Sequence, residues 1–261
     1  MPDPADAVRS TFTHDGATIT VEEQGEGPRV FVLIHGIGMG RSVFADLAGR
    51  LRPYGRVISI DQPGYGDAPE PPRTPTMQRS ADIVGALLTH RGFDVDAGEV
   101  VVVGHSMGTQ VATELAVRHP QHVDRLVLIA PTVDPAARGA LRQLARLGRD
   151  LLAEHPKVLL IGAREYLRAG PNLRRKMRAM LAHRPEDAYP FVTAPALVIR
   201  GGQDAVCPRA WCERVARTLP DARLTEIEGH GHETMIRDGG PTASRILSFV
   251  GVSALPDPAD R

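Results

Sequence analysis

A serine, an aspartate and a histidine follow one another along the chain, each just beyond an apolar run. Ser106 lies in Gly104-His105-Ser106-Met107-Gly108, Asp204 in Gly201-Gly202-Gln203-Asp204, and His232 in Gly229-His230-Gly231-His232. A serine hydroxyl is a weak nucleophile until a base takes its proton, and that base needs a carboxylate to hold its tautomer. The order Ser, acid, His is the one found where the serine sits on a strand–turn–helix elbow. Acyl transfer is the chemistry such a set would perform. Competitors stand nearby. His230 is two residues from His232 on a stretch with no regular pattern, so the two rings should point in different directions and only one can face the serine. Asp134 is the alternative acid, although the glycine pair before Asp204 delivers that residue better. His35 and His105 flank the same region and read as structural, bonded to nearby backbone.

The elements that must position these residues are legible in the hydrophobic pattern. Val100 to Val103 is apolar at every position, which suits a strand buried on both faces of a parallel sheet. After the Gly104–Gly108 turn, Met107, Val111 and Leu115 recur at a spacing of four, and Pro120 marks the end of the predicted helix. Upstream, Arg9 to His14 and Ala17 to Glu23 flank Asp15-Gly16, a tight hairpin signal. Strands are predicted at Val30–Ile34 and Val57–Ile60, with a helix over Arg41–Leu51 between them. The proline-rich segment Ala68–Thr76 reads as an extended loop, and Met77–Arg91 as a helix. After the Arg125–Ala130 strand the rhythm breaks. It resumes with strands at Ala196–Ile199 and Arg223–Ile227 and helices near Pro208–Leu219 and Thr242–Val250. Strands alternating with helices imply an α/β fold with a doubly wound, mostly parallel sheet. An N-terminal antiparallel hairpin would extend that sheet. The expected organisation is a core of residues 1–131 and 195–261, with residues 132–194 inserted between two core strands as a helical lid. That insertion holds one short strand-like run, Val158–Ile161.

The chain has 261 residues, 42% of them apolar and 24% charged, with a formal net charge of zero. Those values suit a globular protein with a large core and give no global pull toward nucleic acid or an anionic membrane surface. No apolar run is long enough to span a bilayer, and MPDPADAVRS lacks the apolar stretch of a signal peptide. Cys207 and Cys212 lie five apart, a spacing of neither a zinc site nor a redox pair, so both are expected to be reduced in a cytoplasmic protein. Charge is unevenly placed. Between Asp134 and Pro190 stand twelve Lys or Arg against six Asp or Glu, so the insertion is about +6 and the remainder about −6. Such an asymmetry can steer an anionic substrate or an acidic partner. The plainer account is a solvated face of Arg138, Arg142, Arg146 and Arg149 opposite an apolar stripe of Leu141, Leu144, Leu147 and Leu151.

These motifs together resemble the α/β-hydrolase fold superfamily, in particular its small, carboxylesterase-like serine hydrolases. The likeness covers roughly Thr18–Pro131 and Ala196–Val250. HGIGMG (His35–Gly40) is similar to the family's oxyanion loop, DQPGYG (Asp61–Gly66) to its D-x-x-G-x-G loop, GHSMG to its elbow, and GGQDAVCP to its acid loop. GHGHE is similar to its terminal G-x-G-H element, which favours His232 over His230. Asp67 departs from the pattern, since many relatives carry Ser or Thr there. The resemblance implies Ser106 as nucleophile, His232 as base and Asp204 as the orienting acid, with the backbone N–H groups of Ile37 and Met107 as the oxyanion hole. It implies no metal or organic cofactor, and a small-molecule acyl substrate. A serine nucleophile speaks against a haloalkane dehalogenase or epoxide hydrolase. A slow ligand-binding or signalling relative, and a cofactor-free perhydrolase or haloperoxidase, share the same residues. Oligomeric state stays open.

Overall fold

The structure is a computed structural model that describes residues 7–94, 98–139 and 172–252. An eight-stranded sheet forms its centre, comprising β1 (Val8–His14), β2 (Ala17–Gln24), β3 (Val30–Ile34), β4 (Arg56–Asp61), β5 (Val100–His105), β6 (Arg125–Ile129), β7 (Ala196–Gly201) and β8 (Ala222–Ile227). The strands run in the order β1-β2-β4-β3-β5-β6-β7-β8. The β1–β2 and β2–β4 pairs are antiparallel and the others parallel. The hairpin turns at Asp15 (φ 47°) and Gly16 (φ 74°), two successive left-handed residues whose twist matches the flanking strands.

The helices among the described residues are α1 (Ala45–Leu51), α2 (Met77–Arg91), α3 (Met107–Arg118), α4 (Leu173–Ala182), α5 (Pro185–Ala188), α6 (Arg209–Thr218), α7 (Thr234–Arg237) and α8 (Gly240–Phe249). They surround the sheet, and every residue of β3, β5 and β7 is buried. That explains why these strands read as continuous apolar runs instead of alternating ones. Val100 to Val103 are 0–1% exposed. Each contributes roughly 1.5–3 kcal/mol of hydrophobic transfer free energy to holding the strand that carries the serine. The helix expected over Arg41–Leu51 opens with a 3-10 turn at Arg41–Phe44 before α1 begins. The cause is local: the Arg41 N–H bonds to Asp61 Oδ1 at 2.6 Å, tying the first turn to the end of β4. Short α7, directly after His232, has no clear periodic signal in the sequence.

Among the described residues, α4 and α5 lie between β6 and β7. The Val158–Ile161 run and the leucine stripe lie outside the described residues, as do Arg142, Arg146 and Arg149. Helix α4 is tied to the core by polar contacts. Gln110 Nε2 on α3 donates to the Thr132 carbonyl (3.0 Å) and the Met180 carbonyl (3.3 Å). Buried Lys176 donates from Nζ to the Gly64 carbonyl, pairs with Glu70 at 2.9 Å and lies 4.3 Å from the centre of the Tyr65 ring. A cation held this way loses little by leaving water, because a carboxylate, a carbonyl and a π-face replace its hydration. Among the described residues no helix is long and apolar enough to cross a membrane.

Candidate active site

Parallel pairing brings the C-terminal ends of β3, β5, β7 and β8 to one edge of the sheet, where an open α/β fold places its functional loops. Ser106 is the residue between β5 and α3. Its backbone is at φ 52°, ψ −119°, a left-handed conformation that costs a non-glycine residue on the order of 1–3 kcal/mol. Its N–H donates to the Ile129 carbonyl of β6 at 2.9 Å, which helps hold the turn. The turn is tight enough that a Cβ on Gly108 would lie 2.1 Å from the Ile34 carbonyl oxygen, so that position must be glycine.

Asp204 and His232 follow the two last strands of the sheet. Asp204 Oδ1 accepts the N–H groups of Val206 and Cys207, both at 2.8 Å. That leaves Oδ2 for the His232 Nδ1–H at 3.0 Å. His232 Nε2 in turn lies 3.0 Å from Ser106 Oγ. Asp204 and His232 are each only 3% exposed, so these contacts are shielded from bulk water. A close approach between loops makes it possible. A Cβ on Gly201 would come within 2.0 Å of the Gly231 carbonyl oxygen, and the Gln203 N–H donates to the His230 carbonyl at 2.9 Å. His230 turns elsewhere, its Nδ1 bonded to the Glu228 carbonyl at 3.0 Å. Asp134 Oδ1 accepts the Ala136 N–H (3.0 Å) and meets Arg214 (3.4 Å).

The loop after β3 runs against the serine: a Cβ on Gly36 would lie 3.0 Å from Ser106 Cβ. Ile37 follows it, and Met107 opens α3, where backbone N–H groups have no partner within the helix. His35 braces this loop. Its Nδ1 bonds to the Gly36 carbonyl (2.7 Å), its Nε2 accepts the Gln62 N–H (3.0 Å), and the Gln62 amide returns to the His35 carbonyl (2.9 Å). His105 also bonds to backbone, with Nε2 3.2 Å from the His232 carbonyl and 3.5 Å from Glu233 Oε2. Asp67 pairs with Arg41 at 2.9 Å, and Arg41 also binds Asp61 and lies 3.3 Å from Glu22. The departure at Asp67 thus feeds a charge network behind the loops. The residues that sequence patterns did not single out are Arg41, Lys176 and Arg200. Charged residues are rarely buried, so only the Arg200 signal was available: an arginine closing an otherwise apolar run, Ala196–Ile199.

Among the described residues, two groups bring metal-ligating atoms within 4.8 Å of one another: His105, His232 and Glu233, and Asp204, Cys207 and His232. Both draw on His232, whose two ring nitrogens are already bonded to Ser106 and Asp204. The donor set therefore suits proton transfer. Cys207 and Cys212 are free thiols, as expected, and burial pushes the Cys212 thiol up to about 12, which keeps it protonated. A groove of about 520 Å³ opens elsewhere, beside Met77, Glu114, His183 and Phe191, and Ser106 does not line it.

A model of the alpha/beta hydrolase family matches residues 31–244, most of the chain and all of these loops. The chain belongs to the alpha/beta hydrolase family. It is 31% identical over 260 residues to a pimeloyl-[acyl-carrier protein] methyl ester esterase of Neisseria meningitidis, covering 88% of this chain and 78% of that one. It is 26% identical over 263 residues to a 2-(acetamidomethylene)succinate hydrolase of Mesorhizobium japonicum, covering 89% and 91% of the two chains. Among solved structures it is similar to a thermophilic esterase from Thermogutta terrifontis, with a TM-score of 0.76 and 25% identity over 94% of this chain and 98% of that one.

Buried histidines predict how this hydrolase-fold protein responds to acid. Burial, above all, lowers His35, His105 and His122 from the ordinary 6.5, and His105 well below it. Between 6.5 and those lowered values the unfolded chain binds protons that the folded chain refuses. Stability is therefore fully present above about pH 6.5 and falls as the pH drops, by at most about 1.4 kcal/mol per pH unit for each such histidine. Urea midpoints measured from pH 7.5 to 5 should decline steadily; a flat profile would contradict the burial of these rings.

Proposed function

We propose that the chain hydrolyses carboxylic esters through an acyl-enzyme on Ser106. The observation that carries this reading is the unbroken pair of 3.0 Å contacts from Ser106 Oγ to His232 Nε2 and from His232 Nδ1 to Asp204 Oδ2. Ser106 Oγ attacks the ester carbonyl while His232 Nε2 takes its proton. Asp204 holds the tautomer and stabilises the imidazolium that forms. The N–H groups of Ile37 and Met107 receive the oxyanion; each such donor is worth roughly 100- to 1,000-fold in rate. His232 then protonates the leaving alcohol, and water, deprotonated by the same ring, frees the acid and restores Ser106. Esterase names among the relatives support the substrate class. The reading calls for no cofactor and takes a small-molecule acyl compound as its partner. Mixing the protein with a short-chain p-nitrophenyl ester should release a burst of p-nitrophenol followed by steady turnover. A protein that binds the ester without releasing p-nitrophenol would be the ligand-binding alternative instead.

Residues 132–194 are, on this reading, the lid that bounds the acyl site, and cytoplasmic residence fits the reduced cysteines. Arg174, Arg175 and Arg178 are exposed on α4, whose Lys176 rests against Tyr65. Tyr65 in turn donates its hydroxyl to Met107 Sδ at 3.6 Å, so the helix that carries these arginines is linked by contact to the proposed oxyanion hole. If it steers substrates, kcat/KM for a carboxylate-bearing ester should fall as salt is raised from about 10 mM to 1 M, across which the screening length shrinks about tenfold. A neutral ester of similar size should hardly change. Equal responses of the two esters would reduce the arginines to ordinary surface charge.

A further inference from the structure

We infer that Arg200 is a positioning residue for the acid of the proposed relay. It is the last residue but one of β7, just before the glycine pair that leads to Asp204, and is only 5% exposed. Its guanidinium reaches into the loop of residues 201–207. Nη2 donates to the carbonyls of Asp204 (3.2 Å) and Gly202 (3.4 Å), and Nε donates to the carbonyl of Cys207 (3.3 Å). Nη1 pairs with Glu226, its register partner on β8. One planar fork therefore gathers the start, the middle and the end of the loop that carries Asp204. The carbonyls it satisfies belong to the same backbone whose N–H groups hold Asp204 Oδ1.

This arrangement divides the work at Asp204. The Val206 and Cys207 N–H groups set the carboxylate from one side, and Arg200 sets the backbone beneath it, so Oδ2 is aimed at His232 Nδ1. Without the guanidinium, the buried contacts to the Asp204 and Cys207 carbonyls would be lost, and the loop would shift to find other donors. A lysine cannot substitute, because a point charge on a flexible stem does not reproduce the fork. The loop is also bonded to its neighbour through Gly202 N–H to the Ile227 carbonyl (2.8 Å) and Gln203 N–H to the His230 carbonyl. A shift on the acid side would therefore be felt on the histidine side.

The inference rests on the Ser106–His232–Asp204 reading, and the test separates the two. Arg200→Met and Arg200→Lys are assayed on a p-nitrophenyl ester, with Asp204→Asn alongside. A displacement of about 1 Å at a reacting group costs about 100-fold, so kcat should fall by roughly 10- to 100-fold, with KM held within about threefold. The acidic limb of the kcat/KM profile should move to lower pH, because a misaimed carboxylate no longer stabilises the His232 imidazolium. A merely structural arginine would lower the yield or melting temperature while the folded fraction kept the parent kcat and the parent limb. That result overturns the inference, as does an Arg200→Lys with parental kcat should Arg200→Met not fold. An active Asp204→Asn removes the relay reading itself. An inactive Asp204→Asn beside unchanged Arg200 variants removes only the role given to Arg200.

Discussion

Ser106→Ala should lose about a millionfold in ester turnover while the protein unfolds nearly as the parent does. Members of a nucleophile–base–acid set act as a unit, and removing the nucleophile leaves only what binding and the oxyanion donors supply, on the order of 10³–10⁴ over water. The fold has little stake in the hydroxyl, which bonds to His232 Nε2 at 3.0 Å. The strain at Ser106 belongs to its backbone, which keeps φ near 52° with any Cβ-bearing residue. Alanine keeps that Cβ, so stability should stay within about 1 kcal/mol, the worth of one hydrogen bond. Initial rates on a p-nitrophenyl ester, together with a urea melt, check both halves. Residual activity within tenfold of the parent would remove Ser106 from the chemistry.

The second large effect concerns which histidine and which carboxylate do the work. His232→Ala should be as damaging as Ser106→Ala, and Asp204→Asn should cost about 10⁴-fold in kcat by stabilising the wrong tautomer. His230→Ala should stay within about threefold, because its Nδ1 serves the Glu228 carbonyl and the ring belongs to neither 3.0 Å contact. Asp134→Asn should likewise keep its activity. Its side-chain oxygen caps the turn at Pro135–Ala137, a role the asparagine amide oxygen can keep, and only the pairing with half-exposed Arg214 is lost, so stability should stay within about 1 kcal/mol. Steady-state kinetics on the four purified variants rank them directly. If His230→Ala were dead and His232→Ala active, the base would be reassigned; a dead Asp134→Asn beside an active Asp204→Asn would move the acid to the end of β6.

Much of this protein could be read from residues that lie close together in the chain. The valine run Val100–Val103, the flanked Ser106 and the helical spacing of Met107, Val111 and Leu115 specify strand, turn and helix by local sterics and burial alone. Asp15-Gly16 specifies its hairpin for the same reason, since both residues tolerate the left-handed conformation they adopt. Other matters depend on groups distant in sequence. Whether His230 or His232 faces the serine is decided by bonds between the loops after β7 and β8, at Gly202–Ile227 and Gln203–His230, and by the glycine at 201 that lets them touch. The burial of Lys176 and Arg200 is decided likewise, because each charge finds its compensating partners in other segments: Gly64, Tyr65 and Glu70 for the first, and Glu226 with the folded-back loop for the second. The hydrophobic period records which face of an element is inward. The direction of a side chain on an irregular loop leaves no such record, because it is set by hydrogen bonds that exist only once the strands have paired.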